Sequence, residues 1–444
     1  MREKLVELIA AALRNKSIPA DRVFQNFCKK RNLGSKQRKS LSDSFFDFWR
    51  NYWKCAFLVD AQGYDEFATN TSSDQLASVA EVVILSKTEM IEANKLVSAF
   101  ERLSAYSSDV FPISAQMNMH PGIWALFTES FPSEESAISV ASYVPPSVDI
   151  RVNTFAGFTK SAVIRHLCGQ GIIVDELPYD ALRIHKRAPL TRDALYQAGA
   201  FEVQDFGSQI ISRLCDARVG ECVLDYCAGG GGKAIAMLND TNGKAELTLT
   251  DVNAPRLAKA NARISRIPKA VVSFRSELDI PLASFDLVVV DAPCSGVGTL
   301  RRNPDKTVHL RDSDIFAFAE LQLKILRNAA KFVKKGGRLV YITCSYLKAE
   351  NEDVVQAFVA QQSGFDFVDM REVWRRKCAL SFPDHSSSQG IRLTQTDGFF
   401  ISTMQYMPRA LKIAEKKIEN SKCFTGQNDR NHLGGIPEGK KCGP

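Results

Sequence analysis

The spacing of hydrophobic and polar positions along the chain changes character near Val144-Pro145-Pro146-Ser147. Before that point apolar residues recur at helical spacing: Leu5, Ile9 and Leu13 share one face, as do Phe45, Phe48, Trp49 and Tyr52. After it, short apolar runs alternate with amphipathic stretches, the pattern of a mostly parallel sheet covered by helices. Residues 285–290 and 338–342 are near-continuous apolar runs, as strands buried on both faces are. Further strands are predicted over 223–225, 245–250 and 270–274. Phe318, Leu321, Ile325, Ala329 and Phe332 predict a helix over 313–335 lying on one sheet face, with Ser313 as its cap and Gly336-Gly337 as its stop. The expected organisation is an all-helical domain over 1–144, a small α/β lobe over 145–200, an α/β domain over 201–406, and a polar, lysine-rich tail over 407–444 that reads as disordered.

Candidate chemistry gathers at strand ends in the α/β domain. Asp225-Tyr226-Cys227-Ala228-Gly229-Gly230-Gly231-Gly232-Lys233 runs from a strand through glycines into a helix. Glycine there permits positive φ and lets backbone N–H groups approach a ligand. Asp251 ends the next strand, 22 residues after Gly229, placed to accept hydrogen bonds from ribose hydroxyls. An adenosine-containing cofactor fits this spacing, NAD and S-adenosylmethionine alike, and no clean Gly-x-Gly-x-x-Gly fingerprint is present. Two further strands run into cysteine, in Asp291-Ala292-Pro293-Cys294-Ser295-Gly296 and Thr343-Cys344-Ser345. A lone free cysteine is usually a small buried hydrophobe. A pair at strand ends beside a cofactor loop supplies nucleophiles that hydride transfer does not need, so methyl transfer fits better.

These segments, with Arg151-Val152-Asn153-Thr154, Gln204-Asp205-Phe206-Gly207-Ser208-Gln209, Glu350-Asn351-Glu352 and Asp397-Gly398-Phe399-Phe400, resemble in content and order the RsmB/NSUN family of S-adenosylmethionine-dependent RNA 5-methylcytosine methyltransferases. The resemblance spans residues 148–405, and its specific part is the Pro-Cys and Thr-Cys pair, since DNA cytosine methyltransferases carry only a Pro-Cys nucleophile. The chain departs from the family's loop by having Gly229-Gly230 where Ala-Pro is usual. The resemblance implies a Rossmann-like class I methyltransferase domain. It implies Cys344 as the nucleophile, Cys294 as the group assisting product release, Asp291 on the base edge, and Lys233 orienting that carboxylate. The implied cofactor set is Cys227, Ala228, Gly229, Gly230, Gly231, Gly232, Lys233, Asp251 and Asp291, with Glu277 or Asp279, the latter preferred, holding the adenine amino group. Glu350 and Glu352 are expected to cap the following helix. Arg151 and Asn153 in the small lobe are assigned to RNA. Many bacterial members carry a NusB-like helical RNA-binding domain, and residues 34–50 resemble a segment of one, shortened. Lys36, Arg38 and Lys39 are then phosphate contacts, or else a solvated face.

Composition agrees with such a protein. The 444 residues are 45% hydrophobic, enough for several cores, and the net charge of +7 permits a polyanionic partner without demanding one. Eleven cysteines, an odd number without paired Cys-x-x-Cys spacings, point to a reducing compartment and against a disulfide framework or zinc site. No run is apolar and long enough to span a bilayer. A cytosolic, metal-free monomer acting on ribosomal RNA, with transfer RNA as the second candidate, is expected. A catalytically silent RNA-binding protein and a methyltransferase acting on protein or a small molecule are the competing classes.

Overall fold

A computed structural model describes residues 1–14, 18–61, 89–105, 107, 110–134, 136–137, 146–185 and 188–407. The tail expected to be disordered lies, apart from Met407, outside the described residues.

The helical pattern of the first part folds as α1 (Arg2–Arg14), α2 (Ala20–Lys30), α3 (Ser35–Arg50), α4 (Tyr52–Ala61) and α5 (Glu89–Arg102). Leu5, Ile9, Leu13, Phe45, Phe48, Trp49 and Tyr52 are all buried in one core. Its aromatic centre is close-packed, with Trp49 stacked on Tyr52 at 5.8 Å and Phe48 edge-on to Trp49 at 5.1 Å. One helix departs from the expected division. In α6 (Pro121–Thr128), Ile123, Trp124 and Phe127 pack with Val297, Leu300, Tyr346 and Leu347 of the α/β domain. The expected 1–144 unit therefore contributes this helix to another core.

The small lobe is a 4-stranded antiparallel sheet of order β2-β3-β1-β4, from β1 (Val148–Val152), β2 (Val174–Glu176), β3 (Ala181–Ile184) and β4 (Phe201–Val203). Helix α7 (Lys160–Gly169) packs on it through Val163 and Leu167. Strand β4 falls beyond the boundary expected at residue 200 because Ile150, Arg151 and Val152 pair with Val203, Glu202 and Phe201.

The α/β domain is an 8-stranded sheet of order β10-β12-β9-β8-β5-β6-β7, with β11 paired to β12. Its strands are β5 (Cys222–Asp225), β6 (Glu246–Leu249), β7 (Val272–Phe274), β8 (Phe285–Asp291), β9 (Val333–Thr343), β10 (Phe365–Phe367), β11 (Ile391–Leu393) and β12 (Phe399–Tyr406). Strands β5 to β9 pair in parallel, and β12 is antiparallel to β9. Both faces are covered, which explains the unbroken apolar runs. Leu287 and Val289 face α8 (Phe206–Leu214), α9 (Gly232–Asp240) and α10 (Ala254–Ile264), while Val288 and Val290 face α11 (Asp312–Ala329) and α12 (Glu352–Gln361).

Helix α11 differs from its expected extent. It is capped at Arg311, ends at Ala329, and the chain is already in β9 by Val333. Gly336, expected to stop a helix, instead sits at positive φ within β9, where the pairing with β8 shifts register. The helix turns Ile315, Gln322, Leu326 and Ala329 inward, leaving Leu321 43% exposed on the opposite side.

A largely buried ion network joins two of the sequence motifs through Arg301 and Arg302. Asp205 caps α8 through Gly207 N–H at 2.8 Å and also accepts from Arg301 and Arg302, at 2.7 and 2.6 Å. Asp397 accepts from the Nε atoms of the same two arginines, each at 2.5 Å. Removing one partner from such a network strands the other charges away from water, at about 3–5 kcal/mol. Asp397→Ala is accordingly expected to lower unfolding stability by about 3 kcal/mol, read from the urea midpoint. A loss below about 1 kcal/mol would mean that the network behaves as a solvated surface pair.

Candidate active site

Parallel pairing of β8 and β9 sets Val290 opposite Tyr341 and Asp291 opposite Ile342, so the cysteine of each following loop emerges at the same end of the sheet. Cys294 Sγ and Cys344 Sγ lie 3.3 Å apart. Glu350, fully buried, holds the two loops together. Its carboxylate accepts from Ser295 N–H at 2.8 Å, Ser295 Oγ at 2.5 Å and Ser345 Oγ at 2.6 Å. Gln322 of α11 donates both to Glu350, at 3.0 Å, and to the Pro293 carbonyl, at 2.9 Å. Asn351 binds the same turn, accepting from Thr343 Oγ1 and donating to the Ser345 carbonyl. Neither glutamate of the Glu350-Asn351-Glu352 segment caps α12, contrary to expectation. Asn351 is at the cap position without a side-chain cap bond, Glu350 is spent on the serines, and Glu352 pairs with Arg392 at 2.5 Å.

The thiols are inequivalent. The hydrogen bond from Cys294 lowers the pKa of Cys344 against the opposing effect of burial, and the positive charges of Lys306 and Lys233 add to it. Cys294, the donor beside that incipient thiolate and itself buried, is raised. Lys233 donates to Asp291 at 2.5 Å; burial disfavours its charge, but the carboxylate outweighs burial and raises its pKa.

A cavity of about 1210 Å³ opens at the point where the strand order departs in both directions from β5, and both cysteines line it. Cys227, Ala228, Gly229, Gly230, Gly232, Lys233, Asp251 and Asp291 line it too. Gly229 and Gly231 adopt left-handed φ of 53° and 74°, which turns the loop so that Gly229 N–H donates to Asp251 at 2.8 Å and α9 starts at Gly232. Gly231 itself points away from the cavity, where a Cβ would press on Ala260 and Ile264. Glu277 lines the cavity and accepts from Tyr226 Oη at 2.6 Å, whereas Asp279, the acid preferred from sequence, does not line it. The segment after β7 turns as a short 3₁₀ helix over Glu277–Asp279, which separates the two acids.

Two assignments to RNA do not hold. Arg151 and Asn153 are 3% and 0% exposed. They sit where the small lobe meets the α/β domain: Arg151 donates to Gln204 and to the Gly232 carbonyl, and Asn153 to the Gly199 carbonyl at 2.7 Å. Arg151 thus braces the glycine loop. Lys36, Arg38 and Lys39 are exposed on α3. Sequence reasoning missed Asp225, which is buried, lines the cavity, and has an Oδ1 without a partner. Its signal was a carboxylate at the end of an apolar strand, directly before the glycines. Among the described residues no cluster of metal-ligating side chains occurs, and no helix is long and apolar enough to cross a membrane.

Residues 213–405 match the family described as 16S rRNA methyltransferase RsmB/F. The ribosomal RNA small subunit methyltransferase B of an Enterobacter species is 30% identical over 299 residues, covering 65% of this chain and 69% of that protein. The chain belongs to the RsmB/F methyltransferase family. The probable ribosomal RNA small subunit methyltransferase B of Bacillus subtilis is 30% identical over 272 residues, 59% of this chain, which spans 60% of that relative's length. The crystal structure of PH0851 shares the fold, with a TM-score of 0.68 at 21% identity, covering 90% of this chain and 98% of that one. Membership of RsmB/F agrees with the class I methyltransferase architecture, the parallel sheet and the preceding helices described above.

Burial, aided by the nearby charge of Asp291, pushes the Asp225 carboxyl up to about 7. An ammonium held against Asp225 would favour the carboxylate, so its binding below pH 7 would have to expel a proton. S-adenosylmethionine affinity, measured by calorimetry, is therefore expected to weaken toward tenfold per pH unit as the pH falls below about 6. Asp225→Asn should bind more weakly at pH 8 and show no such slope. A wild-type affinity independent of pH between 5.5 and 8 would remove Asp225 from the ligand.

Proposed function

We propose that this protein methylates carbon 5 of a cytosine in RNA, with S-adenosylmethionine as methyl donor and small-subunit ribosomal RNA as substrate. The observation that carries the reading is the pair of thiols 3.3 Å apart at the end of β8 and β9, opening on a cavity that also holds Asp291 and Lys233. The names of the relatives support ribosomal RNA, and the family supports the methyl donor.

The residues present fit that donor. Asp251 suits ribose hydroxyls, the unpartnered Oδ1 of Asp225 suits an ammonium, the N-terminus of α9 suits a carboxylate, and Glu277 is the acid within reach of an adenine amino group. When bound, S-adenosylmethionine supplies an electrophilic sulfonium methyl. The chain's own residues make cytosine able to take it. Carbon 5 is a poor nucleophile until Cys344, as thiolate, bonds to carbon 6 and makes the ring enamine-like. Asp291, held by Lys233, accepts from the base edge and keeps the ring in place. Once carbon 5 carries the methyl, its proton must leave so that the carbon–sulfur electrons return to Cys344, and Cys294 assists this release. The target base has to be unstacked to reach the thiols. Lys36, Arg38 and Lys39 on α3 are proposed phosphate contacts.

Incubation with labelled donor and total RNA separates this reading from a silent RNA-binding protein, which transfers nothing, and from a protein or small-molecule methyltransferase, whose product survives ribonuclease. Opposite outcomes are expected for the two thiols. Cys344→Ala should reduce methylation to background and form no adduct, while Cys294→Ala should accumulate a protein–RNA adduct that survives denaturing electrophoresis. The double variant should form none. An adduct in Cys344→Ala with none in Cys294→Ala would exchange the two roles.

A further inference from the structure

A second cavity, of about 700 Å³, lies between the N-terminal helices and the α/β domain. Its size is that of a small-ligand site, about 300–1,000 Å³. Pro19, Ala20 and Trp49 line it from one side, and Asn303, Lys306 and Phe318 from the other. Its walls are tied across the interface, since Ala20 N–H donates to Asp305 at 3.1 Å. It adjoins the cofactor cavity, with Cys294, Lys306 and Leu321 lining both.

The floor of both cavities is one stripe of α11. Asp314, Ala317, Phe318 and Leu321 face the second cavity, and Leu321, Lys324, Ile325 and Asn328 the first, at the three- and four-residue spacing of a single helix face. The sequence pattern predicts that Phe318 packs on the sheet. Instead it is half-buried and joins none of the hydrophobic clusters among the described residues. At the waist between the cavities stands Lys306, whose ammonium lies so near Gly296 that a Cβ there would overlap it.

We propose that the second cavity seats the nucleobase adjacent to the target cytosine on the same RNA strand, stacked on Phe318, with Lys306 against the phosphate joining the two nucleotides. This rests on the reading that Cys294 and Cys344 act on an RNA base. A cytosine turned toward those thiols leaves the stack of its neighbour, and the strand on one side of it must pass the waist where the two cavities meet. An aromatic face replaces the lost stacking partner whatever the base, and an ammonium at the joint neutralises the phosphate that has to enter. Phe318 and Lys306 are thus divided as a nucleotide is, between base and phosphate.

The test uses the full-length protein and a ribosomal RNA fragment in which the wild type methylates one cytosine, with an abasic residue placed in turn on its 5′ and 3′ sides. At one of the two positions the abasic substitution should lower wild-type kcat/KM by about tenfold, the value of one lost base stack. Phe318→Ala should lower kcat/KM on intact RNA by a similar factor, leave the dissociation constant of S-adenosylmethionine unchanged, and lose little more on the abasic RNA. Phe318→Trp should retain activity. Tolerance of abasic residues on both sides by the wild type, a measurement that needs no variant, overturns the proposal; so do losses that multiply independently. If the wild type methylates no RNA at all, the functional reading fails and this inference with it, whereas a methylating wild type indifferent to both neighbours sinks the inference alone.

Discussion

The buried carboxylate of Glu350 is the interaction on which the site depends. Two loops that leave neighbouring strands have no backbone ladder to hold them once the strands end, and each here carries one thiol. Glu350 accepts from the serine that follows each cysteine, Ser295 and Ser345, so the loops are tied one residue beyond the sulfur atoms. Charge-assisted hydrogen bonds of this kind are shorter and about twice as strong as neutral ones. A carboxylate with no exposure is tolerable only because donors from both loops and from Gln322 surround it. The 3.3 Å approach of Cys294 to Cys344, and with it the depressed pKa of Cys344, follows from that arrangement.

Strand order then brings the other half of the chemistry to the same place. Strand β5 has β6 on one side and β8 on the other, so the loops after them part and leave a crevice. The glycine loop after β5 and Asp251 after β6 lie on one wall, and Asp291 with the thiols on the other. Lys233 reaches across from the first turn of α9 to Asp291 and so couples the wall of the glycine loop to the wall of the thiols. Remote groups hold this crevice in shape: Arg151 in the small lobe binds the Gly232 carbonyl, and Asp205 and Asp397 hold Arg301 and Arg302 a few residues past Cys294.

Much of this is legible in the chain. Strands buried on both faces show as unbroken apolar runs, so the hydrophobic pattern alone places β8 and β9 and the thiols at their ends, and residue spacing places the glycine loop and Asp251. What stays hidden depends on register or on which face of an element meets which neighbour. An acid two residues before a helix looks like a cap, and only the alignment of β8 with β9 puts Ser295 beside Glu350. Arg151 and Asn153 are polar residues next to a turn, which suggests solvent, but the small sheet presses them against the α/β domain. Phe318 and Leu321 have the spacing of a core stripe, yet they face cavities while a second stripe through Ile315, Gln322 and Leu326 is turned inward. The choice between Glu277 and Asp279 turns on a single 3₁₀ turn that local sequence does not announce.

The pH dependence of Cys344 alkylation, followed by peptide mass spectrometry so that the other cysteines do not interfere, tests the central claim most directly. In the wild type Cys344 should react with a midpoint below the value of about 8.5 for an ordinary thiol. In Glu350→Gln, which keeps the size of the side chain but weakens its hold on the two serines, the midpoint should rise while the far-UV circular dichroism stays that of the wild type. A folded Glu350→Gln variant with the wild-type alkylation profile would contradict the account, since the two thiols would then be held by something other than the carboxylate between their loops.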